Sequence, residues 1–533
     1  MMAGMGRTGK KAGLVGALTM ASRALGLARD MLQSRLVGGG VEQSAFALAF
    51  QIPNLLRRLF GEGAITAAFL PVFKAEVEAG RRDEALALAR AVATMVVSLL
   101  SALVLAGMLA AGAALAWWAP AASDPAGRAA LTLRLVVSLL PYGVFICAAA
   151  FCMAALNALD RFLASSLVPC VLNVVWIAAL AAAALLAPGW SAARTVSALA
   201  LAIVGAGALQ FAFLFFALRR RGWTLAPLFR GWRSEKVLLV WRKTGQAAIG
   251  AGTMQISTAC DQALAQIAAP WAAGVLGFAN RLVDLPLAVV GTAFATVLLP
   301  VFSGRFARGN ADGARAEFAG AVKRMLFLMM PAAAGLAILA PDVSRVIYQG
   351  RAFLPQDAAR VARAAACYAP GLVFFGLSKA LVPWFQAQGD VRTPVAVSIA
   401  AVAANAALNC LAVWGLPVEW RHAGMALATV ATSAFSCAAL AALARRKNGA
   451  MGWAAVARPA AATAAATAAM ALALLAAAAL WPDPAAAGAG TGVSAWTRSA
   501  ARLCAMVAGS AAVYFAASRA TAAAFGTAKG DPS

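Results

Sequence analysis

The chain has 533 residues, of which 63% are hydrophobic and only 12% are charged, and its formal net charge is +25. This composition supplies too little polar material to coat a soluble globule of this size, so it indicates an integral membrane protein. The positive charge is spread over short loops without a soluble domain to present it. This distribution argues against nucleic-acid binding and favours a role in membrane orientation.

Apolar stretches long enough to cross a hydrocarbon core of about 30 Å as helices recur along the whole chain. We therefore predict an all-α polytopic membrane protein with fourteen transmembrane helices. In chain order, the predicted spans are 12–37, 44–73, 87–118, 130–157, 163–187, 195–218, 237–268, 272–302, 319–347, 358–388, 394–415, 423–444, 454–481 and 496–524.

Lysine and arginine collect in alternate loops, and loops of this kind stay in the cytoplasm. The loops around 7–11, 74–82, 219–236, 305–315 and 445–447 are the positive ones. With an even number of spans, the pattern predicts that both termini are cytoplasmic. The first apolar run continues past any small-residue cleavage site, so we expect the first helix to remain in the mature protein.

An internal repeat relates the two halves of the sequence. Leu70-Pro71-Val72-Phe73 recurs as Leu299-Pro300-Val301-Phe302, and Pro141 meets Pro370 at the same offset of 229 residues. Residues 157–161 also resemble 386–390 loosely at this spacing. A repeat of six spans is even, so both copies enter the membrane in the same orientation, as in transporters that rock one half against the other. We predict a first lobe at 1–222, a second lobe at 223–447 and two additional helices at 448–533.

Four arginines interrupt the first two predicted spans, and each costs roughly 2.5–3.5 kcal/mol at bilayer depth even on lenient scales. They are Arg23, Arg29, Arg57 and Arg58. Arg23 and Arg29 lie within roughly 120° of each other around a helix, so both can border one cavity. The planar guanidinium forms bidentate bonds to phosphate oxygens, which favours a diphosphate or carboxylate receptor.

Two alternatives accompany this interpretation. The arginines could instead form salt bridges with the acidic candidates Asp30 and Glu62, or extend to the membrane interface. Of the adjacent Arg57 and Arg58, only one can face the same cavity.

The second half carries its own charged candidates. Arg281 and Asp284 lie three residues apart in the eighth predicted span, where they could line the opposite wall or simply neutralise each other. Lys379 and Asp261 have no close sequence partner of opposite sign, which predicts a water-filled path or pairing across helices.

Asp261, Asn405 and Asn409 form a second candidate group. Asn405 and Asn409 are four residues apart on one helix face, and amide oxygens together with a carboxylate suit Na⁺. Hydrogen bonding between packed helices is an equally good interpretation.

The sequence offers little for catalysis. It has no metal-ligand cluster, no glycine-rich phosphate loop and no nucleophile beside a base. We therefore expect a transporter without catalytic chemistry or a resident cofactor, driven by an ion gradient or the membrane potential, with Na⁺ or H⁺ as candidate coupling ions.

Several motifs carry a family resemblance. Two stretches closely resemble the MurJ (MviN) family of bacterial lipid II flippases, in the MOP exporter superfamily. They are Ser22-Arg23-Ala24-Leu25-Gly26-Leu27-Ala28-Arg29-Asp30 and Phe50-Gln51-Ile52-Pro53-Asn54-Leu55-Leu56-Arg57-Arg58-Leu59-Phe60-Gly61-Glu62-Gly63-Ala64. The resemblance continues through Ala279-Asn280-Arg281-Leu282, Lys379 and Asp390-Val391-Arg392-Thr393-Pro394, so it spans essentially the whole chain.

The resemblance implies two six-helix lobes around a cationic cavity, with the last two helices forming a groove for a lipid tail. It implies transfer of the undecaprenyl-diphosphate-linked peptidoglycan precursor from the cytoplasmic to the periplasmic leaflet of the inner membrane, by a protein expected to be a monomer. Membrane lipids and peptidoglycan synthesis enzymes are the other implied partners. Arg23, Arg29, Arg57 and Arg281 match the cavity arginines of the family.

The resemblance also implies a sodium site, in which Asp261, Asn405, Asn409 and Thr429 match the ligands of some members. Three positions depart from the family pattern: Ser44 and Asn280 replace acidic residues, and Gln51 replaces a lysine. These departures bear on ion coupling.

Two rival functions are compatible with the sequence. One is export of another polyprenyl-linked oligosaccharide by the same superfamily, whereas a cationic-drug exporter would prefer an acidic cavity. The other is a non-transporting scaffold for cell-wall enzymes, which would tolerate neutralisation of the buried arginines.

Overall fold

The computed structural model describes residues 2–59, 65–117, 127–229, 231–232, 234–449, 451–483 and 493–524. Within these ranges the regular structure consists of sixteen α-helices. They are α1 Met2–Val37, α2 Val41–Leu56, α3 Ile65–Glu78, α4 Arg82–Trp117, α5 Arg128–Ala158, α6 Phe162–Leu186, α7 Ala192–Arg219, α8 Glu235–Ala268, α9 Ala272–Ala307, α10 Ala311–Tyr348, α11 Pro355–Tyr368, α12 Gly371–Gln386, α13 Arg392–Gly415, α14 Val418–Asn448, α15 Trp453–Leu480 and α16 Val493–Ala524.

Within the described ranges, every predicted span falls on helical structure. Twelve coincide with a single helix each, while 44–73 corresponds to α2 with α3 and 358–388 to α11 with α12. Among the residues described, nine helices are long and apolar enough to cross a membrane, or ten if the bent pair α11–α12 forms one span. The predicted all-α polytopic fold is confirmed, and the count of fourteen spans stays a prediction. Helices α1, α8 and α9, which carry Arg29, Asp261 and Arg281, are not among the nine.

The chain divides into two compact units. The first contains Met1–Ala263 with Gly350–Phe353, and the second contains Leu264–Gln349 with Leu354–Ser533. The boundary therefore falls inside α8, and α15 and α16 belong to the second unit. The lobe limits predicted at 222 and 447 stay a prediction.

The first unit is built around α5, which packs against α2, α4 and α7. Small residues let these helices approach closely, because lipid offers no hydrophobic gain for association and close van der Waals packing must supply it. At Gly207 of α7 an added Cβ would lie 2.7 Å from the Tyr142 ring of α5. An aromatic cluster of Phe46, Phe50 and Trp176 then joins α2 to α6.

The second unit has an aromatic centre of its own. The ring of Trp384 on α12 meets the edges or faces of Phe302, Phe306 and Phe318 from α9 and α10. Helices α15 and α16 pack along α10, where the Tyr514 hydroxyl donates to the Phe327 carbonyl at 2.6 Å. The last two helices are therefore an integral part of this unit.

The 229-residue spacing recurs in local structure. Helix α4 begins at Arg82 and α10 at Ala311, and the preceding turns place Gly80 and Gly309 at φ of 75° and 66°. Asp160, which has a φ of 57°, corresponds in the same way to Gly389 at 74°. Phe73 and Phe302, the last residues of the repeated motif, are both completely buried.

Candidate functional site

Arg29 on α1 is the most deeply buried of the predicted arginines, with 9% of its surface exposed. Its Nε and Nη2 donate to Oδ1 of Asp30 at 3.0 and 2.7 Å, and its Nη1 donates to Oδ1 of Asn173 at 3.0 Å. The guanidinium carbon also lies 4.5 Å from the centre of the Trp176 ring, which adds a cation–π contact. The carboxylate, the amide and the ring together fix the guanidinium plane.

These contacts belong to a larger buried polar network that joins α1, α2 and α6. Asn173 Nδ2 donates to the Ser22 carbonyl at 2.9 Å, and Trp176 Nε1 donates to Gln33 Oε1 at 3.0 Å. Gln33 Nε2 in turn donates to Gln43 Oε1 at 2.8 Å. Buried polar side chains that satisfy one another in this way hold helices in a single register.

Helical spacing explains why the network forms. Arg29 and Gln33 lie one turn apart on α1, and Asn173 and Trp176 lie three residues apart on α6, so each pair shares a helix face. Asn173, Trp176, Gln33 and Gln43 are not among the residues predicted from the sequence. An asparagine and a tryptophan on one face of an otherwise apolar span are the signal that could have found them.

The other first-unit candidates are less buried. Arg23 is half-buried on α1 and makes no hydrogen bond or ion pair with any residue that the structure describes. Arg57 opens a π-helical turn at 57–59 and donates from Nε to Asn54 Oδ1 at 3.0 Å, whereas Arg58 is exposed. Glu62 lies outside the described residues.

The second-unit candidates face the surface of that unit. Arg281, Asp284 and Lys379 are all exposed, the first two on α9 and the third on α12. Lys379 forms no ion pair or hydrogen bond within the described part of the chain. The structure thus places Arg23, Arg29 and Arg57 in the first unit and these three residues in the second, and their substrate role stays a prediction.

The predicted sodium ligands lie on three helices. Asn405 and Asn409 are buried on α13, where Asn409 Nδ2 donates to Asn405 Oδ1 at 3.0 Å and Asn405 Nδ2 donates to Thr432 Oγ1 at 3.4 Å. The Thr429 hydroxyl donates to the carbonyl of Met425 in its own helix, and Asp261 lies on α8 in the first unit. Amide and hydroxyl oxygens are present, as Na⁺ requires, but the sodium site stays a prediction. Thr432, which the sequence analysis missed, joins α14 to the asparagine pair.

A second ionic network, also missed from the sequence, anchors the last two helices. Arg502 on α16 is 3% exposed, and its Nη1 lies 3.0 Å from Asp342 Oδ2 on α10. Arg345 bridges Asp342 at 2.6 Å and Asp483 at 3.4 Å, and Asp483 accepts from Ser499 at 2.6 Å. The network links α16 and the residue Asp483, just after α15, to α10, and removing one partner would leave an uncompensated buried charge.

Each unit also has a strongly paired carboxylate outside the predicted spans. Arg81 and Lys236 donate to Glu76 at 2.7 and 2.8 Å, and these bonds lower the pKa of Glu76 to about 2. In the second unit Lys447 donates to Asp390 at 2.9 Å and, with the Thr393 backbone and hydroxyl, lowers the pKa of Asp390 to about 2. Both pairs join the end of one helix to a neighbouring helix.

A helical fold with nine or ten candidate membrane spans among the described residues, and with local structure that recurs at a fixed spacing, defines a polytopic membrane protein. The sequence profile of the family "Lipid II flippase MurJ" matches residues 33–489, and the chain belongs to this family. A relative from Rhizobium tropici, "Probable lipid II flippase MurJ", is 35% identical over 404 residues, which cover 75% of each chain.

Solved structures give the same fold. A structure described as "Lipid II flippase MurJ, inward closed conformation" is similar with a TM-score of 0.74 at 20% identity, covering 96% of this chain and 98% of the other. An inward-facing multidrug MATE transporter of the MOP superfamily is similar with a TM-score of 0.65 at 15% identity, covering 83% and 98%. The chain therefore has the fold shared by these transporters.

Proposed function

We propose that this protein flips lipid II, the undecaprenyl-diphosphate-linked peptidoglycan precursor, from the cytoplasmic to the periplasmic leaflet of the bacterial inner membrane. The family match over residues 33–489 carries the proposal. The buried and oriented guanidinium of Arg29 supports it from the chemistry, because an arginine at this depth suits a phosphate ligand. The protein performs no catalytic step in this scheme.

In the proposed mechanism, Arg23, Arg29, Arg57 and Arg281 hold the diphosphate, with Lys379 or Arg58 as further cationic contacts. The first and second lobes rock about the substrate so that the cavity opens to one leaflet and then the other. The polyprenyl tail stays in lipid beside α15 and α16. Asp30, Glu62 and Asp284 adjust the charge of the cavity.

An ion gradient or the membrane potential would drive the cycle. For a sodium gradient, Asp261 with Asn405, Asn409 and Thr429 would supply the oxygen ligands, and a proton gradient is the alternative. Both termini would lie in the cytoplasm. The protein would act as a monomer in contact with membrane lipids and peptidoglycan synthesis enzymes.

The test is a lipid II flipping assay in reconstituted vesicles, supported by rescue of cells depleted of their own flippase. Arg23→Ala and Arg29→Ala should each lower the flipping rate about tenfold or more, because a charge-assisted hydrogen bond to phosphate is worth roughly 1.5–3 kcal/mol. Arg134→Ala is the matched control, since Arg134 is an exposed arginine on a spanning helix, α5. Full activity in both variants would contradict the assigned roles.

The same assay separates the rivals. An exporter of another polyprenyl-linked oligosaccharide would flip that lipid in preference to lipid II. A scaffold would show no flipping by the wild type, and rescue would survive neutralisation of Arg23 and Arg29.

A further inference from the structure

The guanidinium of Arg29 uses its two edges for different partners. One edge, formed by Nε and Nη2, faces the carboxylate of Asp30, and Nη1 is held by Asn173. The flat face rests on Trp176. An edge of this kind, with two parallel N–H groups, ordinarily forms bidentate hydrogen bonds to a carboxylate or phosphate. An internal carboxylate therefore occupies the position that an anionic ligand would take.

We propose that Asp30 is an internal competitor for the phosphate ligand of Arg29, and that Asn173 and Trp176 are positioning residues that hold the guanidinium while its acceptor is exchanged. This inference rests on the proposed function, because it assigns the exchange to the diphosphate of the transported lipid. It adds two residues of α6 to the proposed binding site, whose other members are charged residues.

The placement of the pair on α1 supports this role. Side chains of adjacent residues diverge by about 100° around a helix, so Arg29 and Asp30 do not meet by default. The contacts with Asn173 and Trp176 fix where the guanidinium lies, and Asp30 reaches it there. These α6 contacts use the remaining edge and the face, so they persist when a phosphate displaces the carboxylate.

The two α6 residues are themselves held in place. Asn173 donates to the Ser22 carbonyl and Trp176 donates to Gln33, which is bound to Gln43. Neither side chain depends on Arg29 alone for its orientation. The guanidinium is thus preorganised on a supported surface, which lowers the entropic cost of binding an anion.

Competition by Asp30 also promotes release of the bound lipid. A buried cation needs a counter-ion in every state of the cycle, since leaving it unpaired is costly. Asp30 supplies that counter-ion before the lipid arrives and after it leaves. The carboxylate weakens ligand binding and accelerates dissociation, as a transporter that must unload its cargo requires.

The experiment measures equilibrium binding of lipid II and of undecaprenyl diphosphate to the purified full-length protein in lipid nanodiscs, together with flipping turnover. Asp30→Asn should tighten binding of both lipids about tenfold and slow turnover, because the competitor is removed. Asn173→Ala should weaken binding about tenfold, because the guanidinium is no longer held. Trp176→Phe keeps the ring face and should weaken binding by about threefold or less.

The two substitutions should change the affinity for lipid in opposite directions, and this contrast tests the proposal. Asp30→Asn and Asn173→Ala each remove a partner of Arg29, so simple structural damage would weaken binding in both. Asn173→Asp serves as the shape-conserving companion variant: it keeps an acceptor for Nη1, adds a second competing carboxylate and loses the donor to the Ser22 carbonyl, so it should bind the lipid more weakly than the wild type.

Weaker or unchanged binding in Asp30→Asn would overturn the competitor role, and unchanged binding in both Asn173 variants would overturn the positioning role. If the wild-type protein binds both lipids and the variants show these outcomes, the proposed function still stands. Wild-type protein that binds neither lipid overturns the proposed function, and this inference with it.

Discussion

The two units differ in the regularity of their repeated helices. In the first unit α2 ends at Leu56 and a π-helical turn follows at 57–59, whereas its counterpart α9 runs as one α-helix from Ala272 to Ala307. Residues 60–64, before α3, lie outside the described ranges. In the second unit the division falls between α11 and α12, which meet at 44°, and their counterpart α5 is continuous.

Proline content alone does not decide where a break occurs. Pro141 and Pro370 occupy equivalent positions, yet Pro141 lies inside α5 while Pro370 precedes the first residue of α12. A proline removes one hydrogen-bond donor and permits a kink, and the surrounding packing determines whether the helix ends. Each of these irregular regions also carries a predicted cationic contact: Arg57 lies in the π-helical turn of the first unit, and Lys379 lies on α12 of the bent pair in the second. Interrupted helices commonly line the substrate path of transporters.

The largest expected effects on stability come from two buried phenylalanines at equivalent positions of the two units. Phe73→Ala and Phe302→Ala remove completely buried rings at equivalent positions, and each should lower the free energy of unfolding by about 3–5 kcal/mol. Unfolding of the purified variants in mild detergent, followed by circular dichroism, measures the loss. A large loss in one variant and a negligible loss in the other would show that the repeat does not extend to the packing of this motif.

These two cations give the next prediction. Arg57→Ala and Lys379→Ala should each reduce lipid II flipping about tenfold, because each removes a cation from the proposed diphosphate path. Arg308→Ala is the control, since Arg308 is exposed and donates to Gly304 of the adjacent helix α9. If only one of the two variants is impaired, the functional parallel between Arg57 and Lys379 is wrong.

A smaller effect is expected at the left-handed position that the units share. Asp160→Gly should stabilise the fold by up to about 1 kcal/mol, because a residue with a Cβ is strained at positive φ and glycine is not. Gly389→Ala should destabilise it by about the same amount through backbone strain, since the added Cβ meets no atom within 4 Å. Thermal unfolding checks both variants. Equal signs for the two substitutions would contradict the equivalence of the positions.

The sequence predicts the helices well because hydrophobic length is a local property, and the described residues of all fourteen predicted spans fall on helical structure. It also singles out Arg29 and Asp30, whose charges are conspicuous in an apolar run. It does not reveal Asn173, which lies 144 residues away from Arg29. The ion pairs of Arg345 with Asp483 and of Arg502 with Asp342 are missed for the same reason, because each depends on how distant helices pack.

The smallest effect concerns the two paired carboxylates outside the spans. Glu76 and Asp390 each have a folded-state pKa of about 2. Unfolded Glu and Asp titrate at about 4.3 and about 3.9, so both folded-state values are lowered. Each ionised carboxylate therefore stabilises its unit fully above its unfolded pKa, and this contribution is lost as the pH falls toward the folded value.

Thermal unfolding between neutral pH and the acid limit of the folded state should accordingly show a decline on acidification that is shallower in Glu76→Gln and in Asp390→Asn. The Lys236→Met variant should resemble Glu76→Gln only partly, because Arg81 still pairs with Glu76. Lys447→Met should remove more of the effect of Asp390, because Lys447 is the one cation that donates to Asp390 within the described part of the chain. If both carboxylate variants keep the acid profile of the wild type, these ion pairs do not stabilise either unit. If the two lysine substitutions change the acid profile equally, Glu76 does not depend less on its lysine than Asp390 does.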